Sequence, residues 1–164
     1  MPLRPRSGLL VSLVGVVAVA VAGCGGDDAG DDIAPDTARF TYGDRSLELP
    51  LDGCGREGDV VVLGGGLAGV AVLQAAADLG EGGLDRTGVT ADIDGVGIVG
   101  AFGRGLPRGP AGEVTDVRVE GDRLVVEGRW TTLDEDLTPT ARAPGGQLDG
   151  RLVARCPEDD TDKA

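Results

Sequence analysis

Apolar and polar residues alternate along most of the chain beyond residue 38, with the period of a β-strand that buries one face. Phe40 and Tyr42 alternate with polar residues before the turn Gly43-Asp44-Arg45. Leucines then alternate along segment 47–51, on the way to Cys54. Two alternating segments around a short glycine-containing turn predict a β-hairpin.

Two further stretches have the same pattern. Alternating valines in 114–119 lead into the turn Glu120-Gly121-Asp122, and apolar residues alternate again from Leu124 to Trp130. Segment 88–102 is β-branched and glycine-rich, with Asp94-Gly95 as its turn or bulge. We expect hairpins here, a loop at 103–112 where prolines and glycines concentrate, and a last strand before Cys156.

One segment fits two secondary structures. Residues 67–79 (LAGVAVLQAAADL) are rich in alanine and leucine, which favours a helix, but the periodicity of 66–74 also fits a strand. The pattern therefore predicts a mainly β fold: a small antiparallel sheet, half-barrel or sandwich, with at most one short helix.

The N-terminus has the layout of an export signal. Arg4 and Arg6 precede an apolar stretch, 9–22, which is shorter than the roughly 20 residues that a membrane-spanning helix needs. Val21, Ala22 and Gly23 then precede Cys24, in the order of the lipobox that bacterial lipoprotein processing recognises. We expect residues 1–23 to be a signal peptide and Cys24 to become the first mature residue, a diacylglyceryl cysteine carrying fatty acyl groups such as palmitate.

The predicted anchor determines the domain organisation and the location. Several acyl chains hold a protein stably on a membrane, so we expect an extracytoplasmic chain tethered to the cell membrane by its N-terminal lipid. Segment 24–38 is rich in aspartate and reads as a flexible acidic tether, 39–157 as one domain, and 158–164 as a disordered acidic tail.

Charge and cysteine count add two inferences. The formal charge of −13 becomes −15 when Arg4 and Arg6 leave with the signal peptide, and so acidic a surface excludes nucleic acid as a partner. With Cys24 acylated, Cys54 and Cys156 remain as the one possible intramolecular pair, and outside the cytoplasm we expect them to form a disulfide.

A glycine-rich motif offers an alternative function. Gly64-Gly65-Gly66-Leu67-Ala68-Gly69 satisfies GxGxxG after an apolar run, and Asp92 or Asp94 follows at the distance of a ribose-binding acid. A two-stranded unit and a cysteine precede the motif, however, and hairpins follow it where a dinucleotide-binding fold would need further βαβ units. We interpret Gly64–Gly69 as a structural turn that binds no dinucleotide.

Composition restricts catalysis. The chain has no histidine, which excludes Ser-His-Asp and Cys-His mechanisms and leaves zinc without its usual ligands. Paired carboxylates of the glycosidase type are the one hydrolytic arrangement that composition allows. Asp92-Ile93-Asp94-Gly95 resembles part of a calcium loop but lacks its distal glutamate, so we interpret it as a hairpin turn. We expect no catalytic residue, cofactor or metal.

The order of these features resembles the mycobacterial nineteen-kilodalton lipoprotein antigen family, LpqH, and its actinobacterial relatives. The matching pieces are the lipobox, the strand pair ending in Cys54, the segments 60–73 and 88–103, the hairpin 114–134, and LVARC at 152–156. The resemblance implies a mainly β domain closed by a disulfide and displayed on the cell envelope, where the acylated N-terminus of pathogenic relatives is an innate immune ligand.

We therefore expect a non-catalytic surface lipoprotein with an accessory or ligand-binding role. The alternative is a carrier of an apolar ligand such as a lipid, in which curved strands around Val60–Val72 and Val89–Phe102 line a cavity. Partners beyond the membrane are then an apolar ligand or an envelope protein, and the sequence does not predict an oligomeric state.

Overall fold

A computed structural model describes residues 32–106, 112–133, 136 and 147–156. The signal peptide, Cys24 with its lipobox, and the tail 158–164 lie outside the described residues. The described chain forms nine strands and a short 3-10 helix, Gly83–Arg86. The strands are β1 Thr37–Tyr42, β2 Arg45–Glu57, β3 Val60–Leu67, β4 Ala71–Asp78, β5 Gly88–Ile93, β6 Gly97–Phe102, β7 Glu113–Glu120, β8 Arg123–Thr132 and β9 Leu148–Arg155.

Eight of these strands close an antiparallel barrel. The sheet runs in the order β6-β5-β4-β3-β2-β1-β9-β8-β7, and β6 also pairs with β8 at Val99↔Thr132 and Gly100↔Thr131. That second pairing closes the ring, while β7 extends beside the first part of β8. The prediction of a mainly β, antiparallel, barrel-like domain is confirmed.

Side chains fill the interior of the barrel. Alternate residues of each strand point inward, and the largest of them, Trp130 and Phe40, are almost fully buried. Their rings meet edge to face, with centroids 5.2 Å apart. Gly150 makes room for the indole, since a Cβ there would lie 1.6 Å from Trp130 Nε1. The interior of the barrel is therefore occupied by the protein's own core.

The folded domain begins earlier than predicted. Thr37 and Ala38, assigned to the flexible tether, form the start of β1, and Ile33 is only 4% exposed. Ile33 packs in a small cluster with Val125 and Val153, on the outside of β8 and β9. Ile33 is the one large apolar residue of the acidic segment, and burying it fixes the chain there.

The three predicted hairpins are confirmed as β1–β2, β5–β6 and β7–β8, and the last strand as β9. Segment 67–79, left open between helix and strand, contains β4. Ala71, Leu73 and Ala75 point into the core while Val72 and Gln74 face outward, which is the alternation of a strand. Pairing on both sides, with β3 and β5, outweighs the helical preference of alanine.

The glycine motif is a turn only at its end. Gly64, Gly65 and Gly66 lie within β3, and the chain turns at 68–70 into β4, the antiparallel neighbour of β3. The interpretation of the whole motif as a turn is therefore wrong for its first part. Gly65 and Gly66 are required by packing, because a Cβ at either would lie 2.5 Å or less from a neighbouring backbone oxygen. Phosphate binding by GxGxxG needs a helix directly after the glycines, whereas a strand follows here.

Candidate functional site

Cys54 and Cys156 form a disulfide, as the cysteine count predicts, with Cα atoms 5.5 Å apart. Cys54 lies in β2 and Cys156 directly follows β9. The bond joins positions 102 residues apart in the chain, so it encloses most of the domain in one covalent loop.

A groove on the outside of the barrel is a candidate binding site. It runs across β2 to β6 and has a volume of about 1410 Å³. Its lining residues are Gly53, Cys54, Gly55, Arg56, Glu57, Val60, Val62, Leu63, Gly64, Gln74, Ala75, Ala76, Arg86, Gly88, Thr90, Phe102 and Leu106. We call this feature the outer groove.

The strands in the middle of the outer groove present an uncharged surface. The outward positions of β3 are Val60, Val62, Gly64 and Gly66, and those of β4 are Val72, Gln74 and Ala76. Val62 and Val72 are 55% and 56% exposed, which is high for apolar side chains in a folded domain. This side of the barrel therefore offers apolar contact without charge.

Three glycines of the outer groove are required neither by a positive φ nor by crowding, although Gly53 follows a register shift in β2. Most glycines of the described residues either have a positive φ or would bring a Cβ too close to a neighbour. Gly53 and Gly55 have nothing within 4 Å of an added Cβ, and Gly64 has only an ordinary contact at 3.7 Å. Gly53 and Gly64 are register partners, so the missing side chains lie side by side.

The charged side chains of the outer groove are Arg56, Glu57 and Arg86. Arg86 Nε donates a 2.5 Å hydrogen bond to Asp78 Oδ2, and the Gly80 amide donates to Asp78 Oδ1 at 2.9 Å. The hydrogen bond from Arg86, and then that from Gly80, hold the pKa of the Asp78 carboxyl below its usual range. Arg86 is thus neutralised by a neighbour within the domain.

The 3-10 helix is attached to β4 next to this ion pair. The Thr87 hydroxyl donates to the Gly83 carbonyl at 3.0 Å and accepts from the Asp78 amide at 3.1 Å. Thr87 is fully buried, so its polar group is satisfied where water cannot reach it. These bonds hold the loop that carries Arg86 at the border of the outer groove.

The opposite side of the barrel is strongly charged. On β7 and β8, Arg118 donates to Glu120 at 2.7 Å and to Glu127 at 3.0 Å, and it also pairs with Asp116. Glu127 lies 3.3 Å from Arg151 of β9. The hydrogen bonds that Arg118 donates to Glu120 and Glu127 raise the pKa of its guanidinium above its usual range. Ion pairs thus cover this side, whereas on β3 and β4 the outward positions carry no charge except for Asp78, the last residue of β4.

The other sites predicted from the sequence lie in different parts of the structure. Asp92 lies in β5, and Asp94 lies in the turn between β5 and β6. This position confirms that the calcium-like segment is a hairpin turn. The outer groove includes Val60 and Phe102, which belong to the two segments that the alternative carrier function expects to line a cavity. The sequence pattern does not predict the outer groove, because glycines add nothing to the alternation of apolar and polar residues. The one sequence feature that could have indicated it is the pair Gly53 and Gly55, two residues apart and therefore on the same face of β2.

Among the described residues, no cluster of acidic, cysteine or histidine side chains is arranged to hold a metal ion. Within the same residues, no helix combines the length and apolarity needed to cross a membrane. No protein-family model matches the chain, and comparison with curated proteins gives no match.

Proposed function

We propose that this protein is a non-catalytic, lipid-anchored lipoprotein of the cell envelope, of the LpqH-like kind, whose barrel acts as a binding module. Cys24 carries the anchor and the barrel is displayed outside the cytoplasm. The observation that carries the proposal is the Cys54–Cys156 disulfide.

The disulfide supports this proposal in two ways. Stable disulfides are typical of exported proteins and rare in the cytoplasm, which agrees with the signal-like N-terminus. The chain has three cysteines, and with two of them bonded to each other, Cys24 alone offers a thiol for acylation. Its position after Val21, Ala22 and Gly23 is the one that lipoprotein processing requires.

The chemistry of the outer groove supports a binding role without catalysis. Among its lining residues that the structure describes, Glu57 is the single carboxylate, whereas a glycosidase-type mechanism needs two. Cys54 is committed to the disulfide, so it supplies no nucleophile. What remains is mainly small and apolar residues with Arg56, Gln74, Arg86 and Thr90, a lining that suits binding rather than catalysis.

Acylation tests the anchor directly. Cells expressing the protein are fed an alkyne-tagged palmitate, and the tag is then detected on the purified chain. We expect wild type to be labelled and to fractionate with membranes. Cys24→Ser should lose the label and either keep its signal peptide or appear in the soluble fraction.

The matched control is the double variant Cys54→Ser/Cys156→Ser, which removes the other two thiols and should keep the label. A Cys24→Ser protein that stays labelled and membrane-bound at its mature size would overturn the proposal. Equal labelling of wild type and Cys24→Ser would overturn it as well.

A further inference from the structure

We propose that the outer groove binds one unbranched, uncharged hydrocarbon chain, the alkyl part of a diffusible lipid. This inference names the ligand class of the binding module proposed above and rests on that proposal. It places the ligand outside the barrel, on β2 to β6, because the interior is filled by core side chains.

The surface chemistry selects an apolar ligand. Val60 and Val62 border the groove on β3, and Phe102 and Leu106 border it beyond β5. Apolar surface that stays in contact with water is costly, and covering it with a hydrocarbon chain removes that cost. The guanidinium of Arg86 is already paired with Asp78, and that of Arg56, the other cation of the lining, donates to the Gly58 carbonyl at 2.9 Å.

The glycines select a narrow ligand that approaches the backbone closely. Glycine weakens a strand, so a glycine that neither φ nor crowding requires is expected where another molecule comes near the main chain. Gly53, Gly55 and Gly64 meet that description and adjoin one another on β2 and β3. With Ala76 on the next strand, they leave a stretch of floor almost without side chains, which ends at Gly88 where Phe102 and Leu106 lie over the backbone.

The shape fits a chain rather than a compact ring system. The groove crosses five strands, β2 to β6, and four spacings at about 4.8 Å each give a length of roughly 19 Å. The outward register partners Gly55, Val62, Ala76, Gly88 and Phe102 form one row in this direction. A hydrocarbon chain laid along that row contacts small or apolar residues throughout.

The entry point of the tether argues against the bilayer as the occupant. The N-terminal segment enters the barrel at Ile33, against Val125 and Val153 of β8 and β9. In the ring, β8 and β9 lie across from β3 and β4. The groove thus opens on the side of the barrel away from Ile33.

The test uses the mature chain, residues 24–164, with Cys24→Ser so that its own acyl groups are absent. The probe is the methyl ester of stearic acid with a nitroxide at the chain end, which is linear, uncharged and paramagnetic. We expect NMR amide signals of the outer groove to broaden on titration, those of Val62, Ala76 and Gly88 among them, while the β7–β8 turn stays sharp.

A side chain placed on the floor should block binding without harming the fold. Gly64→Val is expected to weaken binding about tenfold or more, while its thermal unfolding midpoint stays at or above that of the unblocked chain. Thr115→Val, an exposed position on β7, is the matched control and should bind as the unblocked chain does.

Broadening that is spread over the whole surface, or that persists unchanged in Gly64→Val, would overturn the proposal. So would the absence of broadening up to the solubility limit of the probe. Protection of the groove in the acylated protein without any probe would assign it to the protein's own anchor and would also contradict the proposal. Because the titration uses the Cys24→Ser chain, its result is separate from the acylation result on which the proposed anchor depends.

Discussion

Cys54 and Cys156 are bonded to each other at the end of the barrel where β2 extends past the first residue of β1. The first residue of β1, Thr37, pairs with Pro50 on one side and with Arg155 on the other. Beyond it β2 continues for seven residues, 51–57, and the disulfide brings its Cys54 to within 5.5 Å of Cys156, Cα to Cα. The covalent bond thus substitutes for the missing strand and keeps the barrel closed at that end.

Removing this bond should therefore destabilise the barrel. We expect Cys54→Ala/Cys156→Ala to lose about 2 to 5 kcal/mol of unfolding free energy, the usual figure for a native disulfide in a small exported domain. Guanidinium unfolding followed by Trp130 fluorescence measures the change. Reduced wild type serves as the control and should show the same loss. Equal stability of the oxidised, reduced and double-mutant proteins would contradict a structural role.

Two glycine substitutions should have opposite effects. At Gly150 a Cβ would meet the Trp130 indole, so Gly150→Ala overpacks the core and should cost about 3 kcal/mol or more, or prevent folding. Gly64→Ala adds a methyl group whose nearest neighbour, the Leu73 carbonyl oxygen, is at an ordinary contact distance of 3.7 Å, and should gain roughly 0.5 to 1 kcal/mol. Urea unfolding of the two variants beside wild type measures both. A loss of stability in Gly64→Ala would mean that the fold itself requires this glycine.

Ile33 should contribute to stability although it lies next to the acidic tether. Ile33→Ala removes a side chain that is 4% exposed from its contact with Val125 and Val153, and should cost about 2 kcal/mol or more. The control is Leu84→Ala, at a position 38% exposed, where a much smaller loss is expected. Thermal unfolding of both variants compares them. Equal effects would show that the Ile33 cluster does not hold the segment.

The Asp78–Arg86 pair should make stability depend on pH in the acid range. The pKa of Asp78 is lowered by its hydrogen bond from Arg86, so the pair stabilises the fold above the ordinary carboxyl pKa of about 3.9. That contribution is lost as the pH falls through the lowered pKa of the folded state. The difference in unfolding free energy between wild type and Arg86→Met should thus be largest above about pH 4 and shrink towards pH 2.

NMR titration of the Asp78 carboxyl carbon checks the cause. In Arg86→Met we expect its pKa to move up towards the usual range, whereas Arg45→Met, at the start of β2, should leave it where it is in wild type. A difference in unfolding free energy that is constant across the acid range would indicate lost packing of Arg86 rather than a lost ion pair.

The local part of this fold could be predicted from the sequence, and the long-range part could not. Hairpins such as β7–β8 follow from alternation around Gly121, because both signals lie within a few residues. The pairing of Val99 with Thr132 that closes the ring joins distant segments and leaves no local pattern. Ile33 appeared to belong to the tether because its partners, Val125 and Val153, are nearly a hundred residues away or more.

The candidate site was only partly predictable for a different reason. The Cys54–Cys156 disulfide could be predicted from the number of cysteines. With Cys24 assigned to the lipid, two cysteines remain, and they can form one disulfide. The outer groove depends on side chains that are absent, at Gly53, Gly55 and Gly64, and on strands that fold next to each other. Only the register of β2 against β3 reveals that these glycines adjoin.

The disulfide also determines how the molecule responds to mechanical force. A load applied between an N-terminal anchor and the C-terminus can first peel off Ile33 and then pull β1 from its two neighbours. Extension then stops at Cys54, because the disulfide closes the chain from Cys54 to Cys156 into a covalent loop. The tension passes directly from Cys54 to Cys156 through the S–S bond. Strands β3 to β8 lie inside that loop and carry no load. Pulling on the tether would thus leave β3 and β4, with the floor of the outer groove, under no tension.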